Sequence, residues 1–450
     1  MWQIDCFSPV GNHSRPIARQ KKEWLGRREF SCQRQECEKK NNHANRAGTH
    51  LTVLRQLVEL IPAYLVSKLA RAHGVDDQAR TFSPWSHVVA LLYAQLSHAL
   101  SLNDVCDGLR LWATRLRAIR GATPPSRNAL SHANRIRASA MAEQLFWAVL
   151  EHLQHSFPGF RRGSVRGLAW RFRRSIHVID GTVIPLVASC MDWAQHKRRK
   201  AAAKCHMRLS LRSLLPGFVV IDSARVSELA RVRALCAQLR AGEILLCDKG
   251  YHLLAFFAEL TERGVHFVTR PKEDLLYRVV KRRPRCADER VLADEEIKLT
   301  GPIGSRDYPR RLRRVTAKVE IKGEERELVF ITNNFSWSAA SVAELYRCRW
   351  QIEAFFKQIK QTLQLADFLG HSANAVQWQV WMALLVYVLL RFQAWCSAWS
   401  HSFSRLFTVL RAALWQRRDL AQLLRRYGTA DGHFVHLDPP LQRWLPGFPA

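Results

Sequence analysis

The chain has 450 residues, and 69 Lys and Arg against 38 Asp and Glu leave a formal charge of +31. Solubility does not require so large an excess; it points to a polyanionic partner, most simply DNA. A hydrophobic content of 48%, with 15 Trp and 21 Phe, excludes a disordered protein and supplies cores for two or three domains.

The 11 cysteines are scattered, with no second pair at zinc-knuckle spacing to match Cys32 and Cys37, which predicts free thiols in a reducing cytoplasm. No apolar run near the N-terminus suits a signal peptide. The longest apolar run, Val380 to Leu390, is too short to span a bilayer and reads as a buried helix. The expectation is a cytoplasmic protein with access to the nucleoid and no membrane partner.

Residues 1–48 have no apolar period and are rich in basic and polar side chains, as in Arg19-Gln20-Lys21-Lys22. They predict a basic, disordered arm. A DNA-contacting arm and a non-native leading extension both fit. From 49 to 165 the period is helical. Leu51, Leu54, Leu57, Leu60 and Ile61 form one stripe, and Val88, Leu91, Leu92 and Leu96 another behind a Ser83-Pro84 start. Ser101 is placed to cap a third helix. Thr123-Pro124-Pro125 breaks the chain, and Ser126 restarts it with Arg127, Asn128, Ser131, His132, Asn134, Arg135 and Arg137, side chains suited to phosphate and base-edge contact. The pattern resembles a helix-turn-helix; a plain helical bundle with a basic surface fits equally. Residues 49–165 therefore read as an all-helical N-terminal domain that binds DNA.

Past 166 the period changes. Ile176 to Leu186 is β-branched and apolar with Asp180 in its middle, Cys205 to Arg212 alternates strictly, and Pro216-Gly217 turns into a strand from Phe218 to Ile221. Ser227 caps a helix, Ile244 to Cys247 is a short strand ending at Asp248, and a helix from about 252 stops at Gly264 before a strand from Val265 to Thr269. Three strands, helix, strand, helix, strand and a later helix is the element order of an α/β, ribonuclease-H-like fold. Residues 271–325 interrupt it with a basic, β-rich insertion, and Leu328 to Thr332 returns to the core. The catalytic domain is placed at 166–400 and C-terminal helices with a loose tail at 401–450.

From Leu345 to Leu363 one helix is expected, with a capping box from Ser341 and Glu344. At about 100° per residue, Leu345, Ile352, Phe356, Ile359 and Leu363 share one face, and Tyr346, Arg349, Glu353 and Lys360 share the adjoining arc. The spacing Tyr346-x2-Arg349-x3-Glu353-x6-Lys360 resembles the Y-R-E-K signature of bacterial insertion-sequence transposases, the DDE branch called the IS-four family. Two aspartate motifs precede it in the expected order: Ile179-Asp180-Gly181-Thr182 and Cys247-Asp248-Lys249-Gly250-Tyr251. The resemblance covers roughly residues 165–395, and the helical region before it is also similar to that of relatives.

That resemblance implies Asp180, Asp248 and Glu353 as catalytic residues and metal ligands, and Tyr346, Arg349 and Lys360 as the DNA grip near a transposon end. Hard oxygen ligands suit two Mg²⁺ or Mn²⁺ ions. Three converging carboxylates repel without metal, and Arg349, Lys360 and Lys249 are the candidate counter-charges. The run from His196 to Lys200, with Lys204, tracks the DNA backbone or forms a solvated loop. Trp350 packs in the core or stacks on a base. The function implied is metal-dependent cleavage at terminal inverted repeats and strand transfer into target DNA, by a homodimer in the paired-end complex. A structure-selective nuclease, a DNA-binding relic of a transposase and a ribosome-associated protein are the competing functions.

Overall fold

The computed structural model describes residues 51–427, apart from 76–80, 163–171, 173, 188–189, 198–199, 285–286, 322–323 and 364–367. The expected arm at 1–48 and the tail beyond 427 lie outside the described residues, as do Arg198 and Arg199.

The N-terminal helices are α1 (Val53–Val58), α2 (Ala63–Ala72), α3 (Pro84–Ser97), α4 (Leu102–Leu111), α5 (Ala113–Arg117), α6 (Arg127–Ile136), α7 (Ala140–Ser156) and α8 (Pro158–Arg162). Serine caps start three of them. Ser83 Oγ accepts from Ser86 N–H at 3.1 Å, Ser101 forms a capping box with Asp104, and Ser126 Oγ accepts from Ala129 N–H at 3.1 Å. On α6 Asn134, and just past its end Arg137, face inward: Asn134 Oδ1 meets the buried His87 Nε2 at 2.8 Å, and Arg137 donates to the Phe82 and Ser83 carbonyls. They hold the bundle together, which leaves Arg127, Asn128, Ser131, His132 and Arg135 on the exposed face.

A central sheet of ten strands follows: β1 (Ile176–Leu186), β2 (Gln195–Lys197), β3 (Lys200–Ser210), β4 (Pro216–Ser223), β5 (Ile244–Leu246), β6 (His266–Thr269), β7 (Tyr277–Arg282), β8 (Val291–Leu299), β9 (Arg311–Ile321) and β10 (Glu324–Thr332). β4, β3 and β1 pair antiparallel, and β1, β5 and β6 pair parallel. Short helices punctuate the strands: α9 (Met191–Ala194), α10 (Glu228–Cys236), α11 (Leu254–Glu262) and α12 (Pro302–Asp307). Gly264, at φ +70°, ends the α11 turn in the left-handed region, where a side chain is strained.

The insertion is β-rich, but it extends the sheet rather than standing off it: β10 pairs with β6, and β9, β8 and β7 follow outward. Much of its positive charge is spent internally. Arg313, almost fully buried, pairs with Asp294 through two bonds of 2.7 and 2.8 Å, and Arg314 and Arg311 reach Glu295 and Glu296.

The stretch expected as one helix from 345 is two. Helix α13 (Ala339–Arg347) is capped by Ser338, whose Oγ accepts from Ser341 N–H at 3.1 Å, so the cap lies three residues before the expected capping box. Helix α14 (Trp350–Thr362) follows a tight joint at Cys348 and Arg349. There the hydrogen bonds shorten to three-residue spacing, as in Arg349 N–H to Tyr346 O at 2.9 Å and Ile352 N–H to Arg349 O at 3.1 Å. The predicted apolar face, Leu345, Ile352, Phe356, Ile359 and Leu363, is buried throughout, and Trp350 is half-buried against the same core.

Helix α15 (Ala373–Cys396) is 24 residues long and, among the described residues, the one helix apolar enough to cross a membrane; 83% of its most apolar window is buried inside the protein. It packs on α3, α6 and α7, so the N-terminal helices expected as a separate unit share one apolar core with a helix expected in the catalytic domain. Asn374 and Trp378 fix its start by donating to the Arg137 carbonyl at 2.7 Å each. Helices α16 (Phe403–Ala413) and α17 (Leu420–Arg426) close the bundle, and Thr52 bridges to Arg417.

Candidate active site

Three elements each deliver one acid. Asp180 lies in the middle of β1, opposite Met207 of β3. Its Oδ1 accepts from the Gly181 N–H at 2.8 Å, which fixes the carboxylate beside its own strand. Asp248 follows the end of β5, parallel neighbour of β1, and starts the single turn Lys249–Tyr251. Glu353 stands in the first turn of α14, which packs on β1, with its side chain half in solvent.

Arg349 and Tyr346 tie these acids together. Arg349 Nη2 donates to Glu353 Oε1 at 2.6 Å, and Nη1 lies 3.7 Å from Asp180 Oδ2. The guanidinium carbon sits 5.5 Å from the centre of the Tyr346 ring, and the Tyr346 hydroxyl donates to Asp248 Oδ1 at 3.4 Å. Both side chains are buried. Burial lifts the Asp180 carboxyl to about 6; the Gly181 N–H and Arg349 pull it down, while Glu353 and Asp248 push it up. Burial opposes the charge on Arg349, yet Tyr346, Glu353 and Asp248 hold its pKa above the usual value. Burial also pushes the Tyr346 hydroxyl up to about 12, so it stays a neutral donor.

The other expected cations stand elsewhere. Lys360 lies two turns beyond Glu353, about 10 Å along the axis, half-buried beside Cys205, and burial lowers its pKa. Lys249 turns outward to Glu273 at 3.6 Å. Lys204, expected beside the DNA backbone or in a solvated loop, is instead buried in β3 and ion-paired to Glu228, with a further bond to Val226 O at 3.4 Å.

Behind Asp180, on the reverse face of β1, lies a group that the alternation of β3 did not reveal. A Cβ on Gly181 would stand 3.3 Å from His206 Nδ1, 3.3 Å from Lys204 Cε and 3.5 Å from the Tyr251 hydroxyl. Glycine after Asp180 is thus set by close packing. His206 and Arg208, polar positions of the alternating strand, are buried because α10 covers that face; Arg208 donates to Leu235 O at 2.8 Å and Gln238 Oε1 at 2.9 Å.

Asp180, Asp248 and Glu353 are all oxygen donors, the set a hard divalent cation takes, and it is chiefly burial that lifts the Asp180 carboxyl. Among the described residues no three His, Cys, Asp or Glu side chains stand ready at ligand spacing; in this arrangement the neighbouring positive charge is the Arg349 guanidinium.

A mixed α/β sheet that gathers three acids and a buried arginine, in a chain this basic, has the build of an enzyme acting on nucleic acid. The family described as a transposase DDE domain matches residues 171–389, and a family described only as a domain of unknown function matches 49–119. A Sinorhizobium fredii protein bearing a transposase name is 32% identical over 257 residues, covering 56% of this chain and 70% of that one. A Geobacillus stearothermophilus transposase assigned to insertion sequence element IS5377 is 27% identical over 222 residues, 49% of this chain and 57% of the relative. The Escherichia coli transposase InsG of insertion sequence element IS4 is 26% identical over 198 residues, 42% of this chain and 43% of the relative. Among solved structures, a piggyBac transposase synaptic complex with hairpin DNA aligns over 84% of this chain and 80% of that chain at 10% identity, with a TM-score of 0.41. The chain belongs to the DDE transposases of insertion sequences, enzymes that cut DNA and transfer its strands.

Proposed function

We propose that this transposase cuts at the terminal inverted repeats of its own element and joins the freed 3′ ends to target DNA, with Asp180, Asp248 and Glu353 as its catalytic carboxylates. The observation that carries the reading is the convergence of three acids, from β1, the end of β5 and α14, on one Arg349–Tyr346 pair. The strand order β4-β3-β1-β5-β6, antiparallel and then parallel, supports a ribonuclease-H-like core.

In this reading Asp180, Asp248 and Glu353 hold two divalent ions, Mg²⁺ or Mn²⁺. Such ions, when bound, supply activation of a water or 3′ hydroxyl and stabilisation of the leaving oxygen. Asp180 is mostly ionised above its pKa of about 6 and so is competent as a ligand at neutral pH. Arg349 suits bidentate phosphate contact, Lys360 a point-charge contact further along the strand, and the neutral Tyr346 hydroxyl a donated bond. The exposed face of α6, with Asn128, Ser131, His132 and Arg135, is a second DNA surface. Two ends of one element call for two such sites, hence a homodimer in the paired-end complex. The site of action is the nucleoid.

The test is a gel shift run beside a Mg²⁺-dependent cleavage assay on element ends. Glu353→Gln keeps end binding near the parent and loses nicking and joining by several orders of magnitude, each 1.36 kcal/mol of lost transition-state stabilisation being about tenfold. Arg349→Ala weakens or misplaces end binding and loses activity as a consequence. Near-parent cleavage by Glu353→Gln removes Glu353 from the site.

A further inference from the structure

Of the three cations that the sequence offers to neutralise the acids, the structure uses one. Lys249 pairs with Glu273, Lys360 lies beside Cys205, and Arg349 alone of the three contacts Asp180 and Glu353. We infer that Arg349 is a resident counter-ion that holds the carboxylates in the absence of metal, and that it must leave them for a DNA phosphate as a divalent ion enters. This rests on the proposed catalytic role of the acids.

Three observations support the exchange. The guanidinium contacts two of the carboxylates a metal would take, and a dication on the same oxygens would be repelled by it at that range. Arginine cannot relieve the conflict by losing its proton, so it has to move. In its present pose Arg349 Nε is buried with no hydrogen-bond partner, so one donor of the fork is unused; a phosphate, with more acceptor oxygens, satisfies it better. Finally, Arg349 sits at the joint between α13 and α14, where the hydrogen-bond spacing shortens, and not inside a regular helix. Its side chain therefore pivots from a place where two helices meet.

Two ligands that compete for or relieve one residue are coupled, and the coupling is reciprocal. DNA that draws Arg349 away raises metal affinity, and metal raises DNA affinity. The site thereby loads its ions on the DNA to be cut and stays neutralised off it.

The experiment measures Mn²⁺ binding by electron paramagnetic resonance, without DNA and with a duplex taken from the ends of the element that carries the gene. For the parent, the duplex tightens Mn²⁺ binding. Arg349→Met, which keeps bulk and removes charge, binds Mn²⁺ without DNA about tenfold more tightly than the parent, and the duplex adds little. Unchanged or weaker Mn²⁺ binding by Arg349→Met, or the same gain on adding DNA, overturns the inference. Asp180→Asn separates the two levels. If it binds Mn²⁺ as the parent does, the carboxylate reading itself fails. If it loses Mn²⁺ while Arg349→Met shows no gain, only the counter-ion inference fails. Should Arg349→Met not fold, Arg349→Lys takes its place: the shorter cation spans the two acids poorly, so a smaller gain in Mn²⁺ affinity is expected, and no gain overturns the inference.

Discussion

Asp180→Asn tests whether the site is built at the expense of stability. In the folded chain the Asp180 carboxyl is lifted from its ordinary 3.8 to about 6, chiefly by burial. A pKa raised on folding means that the contribution to stability is fully present below 3.8 and is lost as pH rises through about 6. The loss amounts to about 3 kcal/mol at neutral pH, from about 1.4 kcal/mol per pKa unit. Asparagine mimics the neutral acid: it keeps the acceptor for the Gly181 N–H and has no charge to bury. In chelator, Asp180→Asn is therefore expected to be more stable than the parent at pH 8, by about 2 kcal/mol after allowance for a weakened Arg349 contact. The advantage shrinks as pH falls from 6 toward 4, where the parent carboxyl is itself protonated. Urea unfolding of both proteins at a series of pH values measures it. Adding Mn²⁺ stabilises the parent and not the variant. A variant less stable than the parent at pH 8 in chelator, or a difference that does not change between pH 4 and 8, would falsify the account of Asp180 as a carboxylate lifted by burial.

Three other outcomes follow from the same structure. Arg313→Met removes the bidentate partner of the buried Asp294, leaving Arg283 Nε at 3.7 Å, and should cost about 3 kcal/mol in urea unfolding; a loss within experimental error would show that Arg283 compensates in full. Lys204→Met removes the ion pair to Glu228 and should lower stability by about 1 kcal/mol while leaving the gel-shift titration on DNA unchanged; a clear drop in DNA affinity would return Lys204 to the DNA surface. Binding to duplex DNA should weaken with salt, log affinity falling by about 0.9 for each phosphate neutralised against log salt, and a flat response contradicts the polyanion reading of the +31 charge.

What the sequence determined by itself is local. Serine caps at 83, 101, 126 and 227, the apolar face from Leu345 to Leu363, the β-branched run around Asp180 and the short strand that ends before Asp248 are signals carried by neighbouring residues, and each appears as expected. The three proposed acids could be singled out as well, because each sits in a short motif of its own.

Tertiary structure decided what depends on the partner. An α15 apolar on nearly every side carries no record of which helices surround it, so its place in the N-terminal bundle could not be read from 373–396 alone. Alternation along β3 looked like one wet face; α10 covers it, and Lys204, His206 and Arg208 become interior residues. The insertion read as an excursion, since pairing of β10 with β6 is a contact between residues more than 60 positions apart. Helical spacing placed Arg349 and Glu353 on one arc. Only the packing of α14 on β1 sets that arc against Asp180, where the arginine at the joint before α14 meets carboxylates removed from water and pairs with them.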